Sequence, residues 1–95
     1  NDPYIIDSMA WYYFKTGAYE EAESLLEYAI DLMPYDPIIN DHYGDALWKS
    51  GKNVEARFHW SKALELDPEE ETIADIKIKI LKGILLKKKI KKLRT

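Results

Sequence analysis

The chain contains no cysteine, which excludes a disulfide framework and a thiolate metal site. It has only two histidines, His42 and His59, and neither has a close His or Cys companion. His42 has Asp41 and Asp45 nearby, but one histidine with carboxylates is a weak metal signal. The four glycines, Gly17, Gly44, Gly51 and Gly83, are far apart, so no glycine-rich phosphate loop exists. Ser8, Ser24, Ser50 and Ser61 lack the context of a nucleophile elbow. No apolar run approaches the roughly 18 residues that a membrane-spanning helix needs. No signal peptide opens the chain, and the compartment stays open between cytoplasmic and periplasmic. Asn1 is not an initiator Met, so a piece of a longer protein is expected. Catalytic residues, cofactors and metals are not expected.

What is present is an ordinary balance of 46% hydrophobic and 33% charged residues over 95 positions, enough for one small domain with a modest core. The charge is distributed unevenly. Residues 1–68 carry 5 Lys/Arg against 13 Asp/Glu (5 − 13 = −8), and residues 69–95 carry 9 against 4 (9 − 4 = +5). An acidic body with a basic end bears on partners rather than on fold.

The chain also repeats itself. "DPYIID" at 2–7 returns as "DPIIND" at 36–41. With residues 2–34 laid over 36–68, 11 of 33 positions are identical, among them Asp2/Asp36, Pro3/Pro37, Ile5/Ile39, Asp7/Asp41, Gly17/Gly51, Ala22/Ala56, Ala29/Ala63 and Pro34/Pro68. Chance would give about two. A fixed period of this length indicates stacked units. Each unit reads as two helices. Asp2-Pro3 and Asp36-Pro37 are start signals, with Asp as cap and Pro in the first turn. Ile6, Met9, Ala10 and Tyr13, and in the second unit Tyr43, Gly44 and Leu47, come next at helical spacing. Gly17 and Gly51 stop these helices, and Pro34 and Pro68 close the units.

This pattern resembles the tetratricopeptide repeat family, whose unit is a 34-residue helix–turn–helix. The family pattern sets a small residue on the first helix to face one on the second, matched here by Ala10 and Gly44 with Ala22 and Ala56, then a bulky residue four places later (Leu26, Trp60), then Ala29 and Ala63. The early tryptophan of the family is replaced by Ile6 and Asn40, and its later tyrosine is Tyr13 but then Leu47. In overall wording the chain looks like the C-terminal repeats of a bacterial protein of this kind. The resemblance implies an all-α fold: repeats at about 3–36 and 37–70, stacked as a short right-handed solenoid, with a capping helix at about 70–93. No breaker interrupts that last stretch, because Leu85 stands where Gly17 and Gly51 stopped theirs. Gly83 inside it costs about 1 kcal/mol relative to Ala without ending it.

The resemblance further implies that the first helices of the units line a concave groove. Tyr4, Asp7, Trp11, Phe14 and Lys15 would project there, then Ile38, Asp41, Asp45, Trp48 and Lys49, with Thr72, Asp75, Lys79 and Lys82 from the capping helix. Asp7, Asp41 and Asp75 would form a ladder with aromatic surface between the rungs. Aromatic anchors beside charges are the composition of a binding site. The expected function is therefore non-catalytic binding of a protein or peptide of basic and apolar character. Asp7, Trp11, His42, Thr72 and Ile76 stand where some relatives grip a C-terminal carboxylate, and a site this acidic would repel one. Two other readings stay open: the acids are only solvated residues near helix N-termini, or the chain is a structural cap of a longer array.

The basic stretch "LKGILLKKKIKKLRT" is read first as a solvated cap. Partner or self-association is its next role, while membrane and nucleic acid are not expected. Ile5 and Tyr12, counterparts of Ile39 and Ala46, have no preceding unit, so this apolar face is expected to support weak homo-oligomers.

Overall fold

The computed structural model describes residues 1–94. They form five α-helices: α1 Pro3–Lys15, α2 Tyr19–Leu32, α3 Pro37–Lys49, α4 Asn53–Glu65 and α5 Glu70–Leu93. No strand occurs among the described residues. Each helix packs on the next in the chain, and α3 also touches α1.

The helix boundaries come from short local signals. The Asp2 carboxylate accepts from the Tyr4 backbone N–H at 2.9 Å, and the Asp36 carboxylate accepts from Ile39 at 2.9 Å. Each cap is followed by proline, whose missing N–H loses nothing in a first turn. Gly17 (φ +87°) and Gly51 (φ +83°) take the left-handed conformation just past α1 and α3. In both turns the same two bonds close the end: Ala18 N–H to Tyr13 O and Gly17 N–H to Phe14 O, then Lys52 to Leu47 and Gly51 to Trp48. Asp67 ends α4 differently, as a non-glycine residue at φ 58°, a conformation that aspartate tolerates better than most.

The core forms three apolar clusters. Ile6 and Ala29 enclose Ile39; Ala10, Ala22 and Leu26 enclose Ala46; and Leu47, Ala56, Trp60 and Ala63 enclose Ile76. So α3 buries Ile39 and Ala46 against the first helix pair and Leu47 against α4. Alanine at positions 22, 29, 56 and 63 lets the paired backbones approach, and all four are fully buried. Trp60 lies directly on the backbone of Gly44, where an added Cβ would stand 2.4 Å from the indole ring.

The terminal helix covers its neighbour with only half its length. Ile76 and Gly83 are buried against α4, while Ile90, two heptads beyond Ile76 on the same side, is 44% exposed, and Leu93 is 78% exposed. The reason is length. At 1.5 Å per residue the 24 residues of α5 outrun the 13 of α4, so the basic half projects beyond it. Glu70 and Glu71 at one end and Lys91 and Lys92 at the other complement the helix dipole.

Candidate functional site

The middles of α1, α3 and α5, with the last turn of α1, bring two groups of side chains together. In the first, α1 supplies Asp7, Trp11 and Phe14, and α3 supplies His42. The Asp7 carboxylate lies 2.7 Å from His42 Nδ1. A carboxylate accepts, so Nδ1 carries the proton. Trp11 stacks on His42 at a centroid distance of 4.3 Å and on Phe14 at 4.8 Å. Burial of the imidazole opposes its protonation, yet the Asp7 hydrogen bond and the charges of Asp7, Asp41 and Asp45 outweigh this. His42 therefore binds its proton more tightly than ordinary imidazole.

The second group joins α3, α4 and α5. Lys79 Nζ donates to Asp41 at 2.6 Å and to Asp45 at 2.8 Å. Trp60 Nε1 donates to the same Asp45 oxygen at 3.1 Å. Lys79 also lies 5.5 Å from the centre of the Trp60 ring. Burial raises the Asp45 pKa, with Asp41 adding to it, and the Lys79 and Trp60 bonds offset only part of that rise. Beside this group is an open cleft of about 320 Å³, walled by Phe14, Trp48 and Trp60 and edged by Asp45, Lys49, Lys79 and Lys82. Trp48 and Trp60 pack with ring centres 5.6 Å apart.

The residues singled out from the sequence are thus distributed unevenly. Asp7, Trp11, Phe14, Asp41, Asp45 and Trp48 lie in or beside these groups. Tyr4 and Ile38 are about half exposed, and the Tyr4 hydroxyl donates to Asp36 at 3.1 Å. Asp75 is exposed on α5. Ile5 and Tyr12 are 61% and 66% exposed on α1. Asp7 is not a solvated rung: it is 8% exposed. The carboxylates meet cations of this same chain, so the groove is less acidic than composition suggests.

Sequence pattern alone leaves three participants without their partners. His42 carries no signal beyond that of a surface residue, Lys79 falls in the groove without a partner, and Asn40 is only a departure from a family pattern. Asn40 is fully buried. Its amide donates to the carbonyls of Pro34 (3.0 Å) and Asp36 (2.9 Å), and its Oδ1 accepts from His59 Nδ1 at 3.0 Å. Burial, with the nearby Lys62 charge, lowers the His59 pKa. The period gives a signal for one of the ion pairs only. Lys79 is the 34-residue counterpart of Asp45, and opposite charges at equivalent places of neighbouring units can meet.

No group of three or more His, Cys, Asp or Glu suited to a metal occurs among the described residues. No described helix is long and apolar enough to cross a membrane. No protein-family model matches the chain, and no curated protein matches it at a significant level.

Proposed function

We propose that this chain is a non-catalytic protein-interaction module of tetratricopeptide type that holds a partner peptide or helix on the face made by α1, α3 and α5. The observation that carries this reading is the open cleft between Phe14, Trp48 and Trp60. Aromatic walls bury an apolar side chain with little ordering cost, and the charged edge orients the residues on either side of that anchor. The partner carries an apolar or aromatic anchor flanked by lysine or arginine. Asp7, Asp41 and Asp45 are three carboxylates against the single ammonium of Lys79 and the imidazole of His42, so the α1–α3 end keeps a negative balance. Lys49 and Lys82 edge the cleft together with Asp45 and Lys79, which makes the preference for basic peptides moderate.

A second reading has its own support. Asp41 and Asp45 are already paired with Lys79, so the polar groups serve to stitch α3 to α5 in a structural cap. Titrating the protein with a peptide of one tryptophan among lysines, and with its glutamate counterpart, separates the two. The binding reading expects calorimetric binding of the basic peptide, weaker as salt rises, and its loss in Trp48→Ala. Equal, negligible heats for both peptides would leave only the structural role.

A further inference from the structure

The helix α5 has two apolar faces, and only one is covered. Ile76, Ile80 and Gly83 lie against α4 and its neighbours. On the opposite face Ala74, Ile78, Leu81 and Leu85 are exposed, the last three at 51%, 55% and 55%. The 34-residue counterparts of Ala74, Ile78 and Leu81 are Asn40, Gly44 and Leu47 of α3. All three are buried, and α4 covers them through His59, Trp60 and Ala56. The uncovered face of α5 is thus the one on which, one unit earlier, a helix sits.

We propose that this face pairs with the same face of a second copy, the two α5 helices running antiparallel. The four apolar residues are spaced 4, 3 and 4 apart, the spacing of a two-helix seam. Their order is self-complementary. About a two-fold axis level with Lys79 and Ile80, Ile78 of each copy meets Leu81 of the other, and Ala74 meets Leu85. In the same register Glu71 of each copy meets Lys88 of the other, so opposite charges close both ends of the seam. A parallel pair would instead set Glu71 against Glu71 and Lys88 against Lys88. Both charged residues are exposed on α5. This contact uses neither the cleft at Trp48 nor the exposed pair Ile5 and Tyr12, so it stands independently of the peptide-binding reading.

Sedimentation equilibrium on the full chain tests it, with circular dichroism as a check that each variant stays helical. The wild type should dimerise. Leu81→Asp sits at an exposed position, so the monomer should keep its fold, and because the position occurs twice in the seam the dissociation constant should rise by about 100-fold or more. Glu71→Lys should weaken the dimer by about tenfold, and adding Lys88→Glu should restore it, a rescue specific to the antiparallel register. A wild type that stays monomeric at high concentration overturns the proposal. So does a dimer indifferent to Leu81→Asp, including one abolished by Ile5→Asp, which would mean end-to-end stacking instead.

Discussion

Replacing Lys79 by methionine isolates the electrostatics of the site, because the apolar stem stays and only the charge leaves. Lys79 Nζ holds Asp41 at 2.6 Å and Asp45 at 2.8 Å. The two accepting oxygens are therefore within about 5 Å of each other, and at an effective dielectric constant of about 20 unit charges at that distance repel by roughly 3 kcal/mol. Both carboxylates are mostly shielded, with side chains 13% and 14% exposed. Breaking a fully buried pair costs about 3–5 kcal/mol, and a site that keeps some water should cost about 2–3 kcal/mol at neutral pH. For a domain of this size that is a fall in Tm of about 10–20 °C. The loss should shrink on acidification. The Asp45 pKa is already raised by burial, and without Lys79 it rises further. A carboxyl whose folded pKa exceeds its unfolded value destabilises the fold above that folded pKa and is relieved as pH falls through it. Urea unfolding of both proteins at pH 7 and pH 5 measures this, and Asp45→Asn in the Lys79→Met background should recover part of the loss at pH 7. An unchanged midpoint at pH 7, or an equal loss at both pH values, would refute the reasoning and make the Lys79 pairs mere surface contacts.

The two buried glycines should behave differently on substitution. Gly44→Ala drives a methyl to 2.4 Å from the Trp60 ring and should cost about 1–2 kcal/mol net despite the gain in helix propensity, while Gly83→Ala, which meets Trp48 at 3.1 Å and a flexible Arg57, should lie within about 1 kcal/mol of wild type; thermal melts compare them. The two histidines should titrate on opposite sides of the ordinary value near 6.5, His42 above and His59 below, as seen by NMR. For His42 the Asp7 contact stabilises the fold fully below the unfolded pKa and fades as pH rises through the higher folded one. For His59 the depressed pKa destabilises the fold as pH falls below the unfolded value, so the effects oppose. Asp7→Asn should lower the His42 value; if it does not move, the 2.7 Å contact is not formed in solution.

Local signals and the 34-residue period determined much of this protein directly. Asp2 and Asp36 cap helices because their carboxylates reach free N–H groups two or three residues on, and Gly17 and Gly51 end them because a left-handed residue closes the turn; both effects lie within a few residues. The alanines at 22, 29, 56 and 63 marked the tight helix contacts, since only small side chains there let backbones approach. What remained hidden depends on distances between helices. Asp7 and His42 are 35 residues apart, and Asp41 and Lys79 are 38 apart. Helical periodicity places each of these residues on a face. Only the packing of α1, α3 and α5 brings the side chains within hydrogen-bonding reach. That packing turned a row of acids into two ion-paired groups beside an aromatic cleft. Likewise the length of α5 was readable from its missing breaker, but which of its apolar stripes is covered depended on the side from which α4 packs against it.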